Sequence, residues 1–188
     1  MKLQFMHFNN SFIANIRDIF GDPEVQSRMS ISDIDEFLKT TNSRLDYFLF
    51  VVLDKGEFVG ILLAEILNYR TVGIAYAVTR LKRNQGYGKR LLADMVNVRG
   101  LIRYDNFIAY VDNDNLPSIR CLEIAGFQRD RTEEENEMYK YVLANRNPNL
   151  ISIRSVDQSN WEDCIELKPS QEQQEFMASN LYSIAECN

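Results

Sequence analysis

Histidine and cysteine are scarce in these 188 residues: His7 stands alone, and the thiols are Cys121, Cys164 and Cys187. A serine–histidine–aspartate mechanism would depend wholly on a residue in the first strand, which argues against that class. An odd number of cysteines without metal-ligand spacing reads as reduced thiols. It predicts a cytoplasmic chain with no metal and no disulfide framework. No apolar stretch reaches the roughly 20 residues that span a bilayer. Lys2 is followed by no sustained apolar segment with a small-residue cleavage site, so neither a membrane partner nor a signal peptide is expected.

Positive charge is the minority sign, 21 basic against 27 acidic residues, for a net charge of −6. That balance argues against nucleic acid as a partner. The basic residues are unevenly placed. Arg80, Lys82, Arg83, Lys89 and Arg90 fall within eleven residues that contain no carboxylate. Such an island suggests a local anion rather than a surface built for a polyanion, although a solvated basic face gives the same pattern. A hydrophobic fraction of 45%, with 11% aromatic residues, is ample for a packed core.

Within the island, Arg83, Gly86 and Gly88 have the spacing Arg-x-x-Gly-x-Gly. They stand between a strand-like run, 71–78, and a helix-like run, 89–99, with Leu91, Leu92, Met95 and Val98 on one stripe. A glycine turn at a strand-to-helix junction gathers backbone N–H groups at the positive end of the helix dipole. Phosphate or pyrophosphate is the ligand such a turn suits. Gly86 and Gly88 permit positive φ and leave no Cβ in a ligand's way.

Elsewhere, residues 3–8 read as a first strand and 12–20 as a helix that stops near Gly21 and Pro23. A second helix follows Ser32 or Asp33. Strands at 47–53 and 58–66 flank the turn Asp54-Lys55-Gly56-Glu57, a hairpin that 71–78 continues. A strand at 106–111, a helix at 116–125 capped by Asn115 and Gly126, and two strands around the acidic loop 130–137 complete the order. The pattern is β-α-α-β-β-β-α-β-α-β-β, a mixed α/β (α+β) domain over residues 1–144. Residues 145–149 (Asn-Arg-Asn-Pro-Asn) read as a linker. Residues 150–188 predict a strand and two helices, too few for a core of their own. That arm is expected to pack on the domain or on a second chain, as in a homodimer.

Two motifs in this order resemble the GCN5-related N-acetyltransferase (GNAT) superfamily. Arg83-Asn84-Gln85-Gly86-Tyr87-Gly88 is similar to its pyrophosphate loop. Asn115-Leu116-Pro117-Ser118, continuing to Ala125-Gly126-Phe127, is similar to its Asn-x-x-Ala/Ser helix ending in Gly-Phe. The resemblance covers about residues 3–143 and implies a mixed, mostly antiparallel central sheet flanked by helices. It implies acetyl-CoA as cosubstrate and a small-molecule primary amine as acceptor. The backbone of Asn84, Gln85, Gly86, Tyr87 and Gly88, with Arg83 and Lys89, would hold the pyrophosphate. Ala77 and Val78 would bond the pantetheine arm, and Asn115 and Ser118 would face it from the other side. The amine attacks the thioester directly, a backbone N–H steadies the oxyanion, and the departing thiolate takes up a proton.

The chain departs from that pattern in one place. Many members carry a tyrosine four residues before Gly-Phe as the proton donor, and here the position is Leu122. The departure leaves room for a non-catalytic acyl-CoA-binding domain. No general base stands out. Tyr110 occupies the place where some relatives put a carboxylate, and Glu65 and Asp112 are the carboxylates expected near the cleft. The acidic run Glu133-Glu134-Glu135-Asn136-Glu137 would attract a cationic amine or is a solvated hairpin tip. The arm, through Ile151, Ile153, Trp161, Phe176 and Tyr182 among others, resembles the opening of a diamine (spermidine-type) acetyltransferase domain.

Overall fold

Near-continuous apolar runs, buried on both faces, build two strands joined by a two-residue turn. β2 (Tyr47–Asp54) and β3 (Glu57–Asn68) pair antiparallel across Lys55 and Gly56, both at positive φ (53° and 84°). That is the geometry a two-residue hairpin loop needs to match the strand twist. β1 (Gln4–His7) pairs with β2, and β4 (Thr71–Val78) pairs with β3, both antiparallel. β5 (Asn106–Asp112) lies parallel to β4, then β7 (Met138–Ala144) and β6 (Gln128–Asp130) follow antiparallel. The sheet runs β1-β2-β3-β4-β5-β7-β6, mixed and mostly antiparallel. This computed structural model describes residues 2–29, 31–132, 138–145 and 161. The chain divides into two compact units, Met1–Pro148 and Asn149–Asn188, and of the second only Trp161 is described. The acidic run at 133–137, most of the 145–149 linker and the expected strand and helices of the arm lie outside the described residues.

Among the described residues, five helices cover the sheet. α1 (Ile13–Gly21), α2 (Pro23–Met29) and α3 (Ile34–Ser43) pack Ile16, Ile19, Phe20, Val25 and Leu38 on one face, against Leu49, Val51 and Ile61. α4 (Tyr87–Met95) and α5 (Leu116–Ile124) pack Leu91, Leu92, Met95 and Leu122 on the other, against Phe50, Val52 and Leu62. Successive β2 residues therefore serve opposite cores, as the two-residue period of a strand requires.

Two features were not expected. The first helix stops at Gly21, just before Pro23, as read from the sequence, but Pro23 also starts a further helix: Asp22 Oδ1 accepts from the Glu24 N–H at 2.9 Å, and proline suits a first helical position because its missing N–H is not needed there. The helix expected to run to residue 99 stops at Met95, and turns carry Val98 back into the core.

One irregularity shapes the middle of the sheet. β4 and β5 are paired only at Thr71↔Asn106, Val72↔Phe107 and Gly73↔Ile108. Beyond that point β4 stays bonded to β3 as far as Val78, and β5 to β7 as far as Asp112. The two inner edges diverge without strand partners. Backbone donors and acceptors need partners when enclosed, so such an opening suits a ligand that can supply them.

Candidate active site

The glycine loop follows the unpaired end of β4, at the mouth of this opening. A short 3-10 turn, Arg80–Lys82, leads from β4 into the loop, and α4 starts after Gly86. Asn84 (φ 60°) and Gly86 (φ 80°) are both left-handed. Two such residues turn the N–H groups between and after them to one side, the arrangement of an anion nest. Among the described residues no acceptor meets the N–H groups of Asn84 to Lys89, and α4 has no side-chain cap. The Lys89 side chain folds back over Gly86, whose added Cβ would lie 3.1 Å from Lys89 Cε. The glycines serve different ends. Gly86 supplies the left-handed turn. Gly88 supplies room, since a Cβ there would stand 3.0 Å from Cys121 Sγ and 3.5 Å from Tyr76 Cε2.

The basic island is largely neutralised from within. Lys82 pairs with Glu57 at 2.6 Å, and Arg90 with Asp54 at 3.2 Å. Tyr87 Oη also donates to Asp54 Oδ2 at 3.0 Å. The hydrogen bonds from Arg90 and then Tyr87 hold the Asp54 carboxyl below the ordinary carboxylate range. Arg83 pairs with Glu24 at 2.6 Å and Asp22 at 3.1 Å, while its Nε–H donates to the Val78 carbonyl at 3.1 Å. The Arg83 side chain is thus a brace that ties the loop to α2 and to the end of β4. Among the described residues, Arg80 and Lys89 have no carboxylate partner. The Gln85 side chain donates to the Leu81 carbonyl at 2.8 Å, which leaves the backbone of this loop as its anion-facing part.

The other expected residues fall into two groups. Ala77 and Val78 end β4 on its unpaired edge, opposite Ile61 and Gly60 of β3. Asn115 caps α5, its Oδ1 accepting from the Ser118 N–H at 3.3 Å. Loop, strand end and second motif are thus gathered about one opening. Tyr110 and Asp112 lie on the diverging part of β5, and Tyr110 is 55% exposed. Asp112 is held at 2.8 Å by Arg28 of α2, which also binds Asp114. These bonds, to Asp114 first and then Asp112, hold Arg28 firmly protonated. Glu65 is elsewhere. It faces Gly73, level with the paired end of β4 and β5, and its carboxylate is 2.7 Å from Arg44. The geometry therefore removes Glu65 from the residues beside the cleft. Leu122 is a core residue, 1% exposed.

Three contributors were not foreseen. Gly60 lets β3 approach the end of β4: a Cβ there would stand 2.2 Å from the Ala77 carbonyl oxygen. A lone glycine inside an apolar strand is the signal that marks such an approach. Asp22 and Arg28 fasten α2 beside the opening through partners distant in sequence, which no local pattern announces. Among the described residues no cluster of His, Cys, Asp and Glu could hold a metal ion, and no helix is long and apolar enough to cross a membrane.

Comparison with known proteins agrees with this arrangement. The profile of the Acetyltransferase (GNAT) family matches residues 13–127. An uncharacterized N-acetyltransferase, YfmK of Bacillus subtilis (strain 168), is 26% identical over 110 residues, 58% of this chain and 74% of that protein. Among solved structures, the spermidine N-acetyltransferase of Vibrio cholerae in complex with CoA and spermine superposes with a TM-score of 0.68. That match is 14% identical and covers 77% of this chain and 96% of the other. The aminoglycoside acetyltransferase AAC(6')-Ib with coenzyme A and kanamycin gives 0.64 at 14% identity, over 76% of this chain and 95% of that one. With the family profile spanning both motifs and the strands β4 and β5 that diverge beside them, the chain belongs to the acetyltransferase (GNAT) family and is an N-acetyltransferase.

Proposed function

We propose that this chain transfers an acetyl group from acetyl-CoA to the primary amine of a small molecule. The observation that carries the reading is the divergence of β4 and β5 beyond Gly73, with the unpaired N–H groups of Asn84 to Lys89 at its mouth. Those N–H groups and Lys89 suit a pyrophosphate, and the open edge at Ala77 and Val78 suits an extended amide-bearing arm such as pantetheine. Asn115 and Ser118 close the cleft from α5. The relatives support an amine acceptor, since two of them were solved with spermine and with kanamycin.

The chain's own part in transfer is to hold the thioester still, offer a backbone N–H to the carbonyl oxygen as charge develops, and exclude water. Tyr110 and Asp112 remain as the polar groups of β5 beside the acceptor side. In this reading they would receive the amine, Asp112 only once Arg28 yields it. The buried Leu122 favours a second reading, a domain that binds acyl-CoA without turnover. Release of free thiol from acetyl-CoA against a panel of polyamines and aminoglycosides decides between them. Turnover on at least one amine is the expected result. Tight CoA binding with no thiol release on any amine selects the binding domain instead.

A further inference from the structure

The two motifs meet on a side chain that neither contains. Tyr76 lies on the part of β4 that has no β5 partner, two residues before Val78. Its ring touches the first motif at Gly88, where an added Cβ would stand 3.5 Å from Tyr76 Cε2. Its hydroxyl end stands beside Ser118 and Cys121 of α5, the second motif. Neither makes a hydrogen bond of good geometry, and the Tyr76 hydroxyl is buried without a partner. A buried hydroxyl with nothing to bond is destabilising. Such an atom asks what meets it when the cleft is filled. Meanwhile the helix position that usually carries a phenol holds Leu122, sealed in the same apolar core that Tyr76 packs against.

We propose that Tyr76 donates the proton that the departing CoA thiolate takes up, supplying from strand β4 the phenol that position 122 lacks on α5. This rests on the acetyl-transfer reading above. In the step, the amine nitrogen forms a bond to the acetyl carbon and the carbon–sulfur bond breaks. The electron pair of that bond goes to sulfur, and the Tyr76 proton follows it. The acylated nitrogen releases its proton to solvent, and solvent reprotonates the phenolate. Nothing is oxidised or reduced. Burial first of all, with the Cys121 thiol as a further cause, holds the phenol above its ordinary value, so the group is protonated throughout the physiological range. The bond to a neighbouring thiolate offsets that burial once sulfur is in place, so the case for the donor rests on the position of the hydroxyl.

The test is Tyr76→Phe, which removes one oxygen and keeps the ring. We expect kcat to fall roughly 100-fold, the scale of one general acid, with the Kd for CoA changed less than about threefold. The melting temperature should stay level or rise, since an unpaired buried hydroxyl has gone. A purely structural tyrosine would not move a second readout, the ionisation of the bound CoA thiol followed by thiolate absorbance. A phenol bonded to sulfur stabilises the thiolate, so the titration should move to higher pH in the variant. Identical titrations in the two proteins overturn the placement of Tyr76 at sulfur. So does an unchanged kcat, or a loss seen only in Cys121→Ala. A Tyr76-dependent titration in a wild-type protein that acetylates no amine overturns the transferase reading and upholds the contact with sulfur.

Discussion

The Arg83 guanidinium lies 3.1 Å from the Asp22 carboxylate, and this contact joins the glycine loop to the junction of α1 and α2. The loop is thereby positioned by the helices of the opposite face of the sheet. Replacing Arg83 by alanine removes the brace but none of the N–H groups. A partly buried pair of this kind contributes about 1 kcal/mol. We expect a melting temperature lower by about 2 to 4 °C. CoA affinity should weaken only several-fold, measured by calorimetry. A complete loss of binding would mean that the guanidinium itself holds the phosphate.

The same pair makes an acid prediction. Burial pushes the Asp22 carboxyl up, but the Glu24 N–H and Arg83 outweigh it, and the net shift is downward. A carboxylate whose folded-state value is depressed stabilises fully above its ordinary value, near about 4, and loses that contribution as pH falls through the lower folded-state value. The melting temperatures of wild type and Asp22→Asn should therefore differ most at neutral pH. The gap should close below about pH 4. A gap that widened in acid would reverse the sign assigned here.

Gly60→Ala tests the close approach of β3 to β4. Its Cβ would lie 2.2 Å from a backbone oxygen and 3.0 Å from Val78 Cα, so strand rather than side chain must move. A cost of about 3 kcal/mol is expected, at the upper end for overpacking. Because the displaced residues are Ala77 and Val78, CoA affinity should fall as well. Chemical denaturation and calorimetry on the same variant read both effects.

Gly86→Ala and Gly86→Glu separate strain from charge. Both place a Cβ at φ 80°, a left-handed conformation that costs roughly 1 to 2 kcal/mol for an ordinary residue. Only the glutamate adds a negative charge among the N–H groups of Asn84 to Lys89. Equal stabilities, with CoA binding retained in the alanine variant and abolished in the glutamate variant, are the expected pair of results. Undiminished CoA affinity in Gly86→Glu would sink the assignment of this loop.

Local chemistry made much of this molecule readable. Asp54 to Glu57 announced the hairpin, Asn115 and Gly126 bounded α5, and Arg83 to Gly88 marked the loop, because each depends on neighbours along the chain. Glu65 misled because a strand's residue order does not say which end of the sheet opens. That end is set by where β4 stops pairing with β5, a contact between residues some 35 positions apart. Pro23 was ambiguous for a different reason, since proline both ends one helix and begins the next. By sequence Tyr76 is one more aromatic in an apolar strand. Its significance appears only when α4 and α5 close over it and leave its hydroxyl alone.

Three residue pairs hold β4 to β5, while every other long pairing in the sheet is at least seven pairs along β2–β3, β3–β4 and β5–β7. The molecule is in effect two ribbons stitched by a short seam, no longer than the β6–β7 pairing at the sheet's edge. A ligand that bonds both inner edges therefore supplies missing rungs of the sheet. Its binding energy becomes folding energy, so the resistance of this protein to unfolding should rise with ligand concentration by simple mass action.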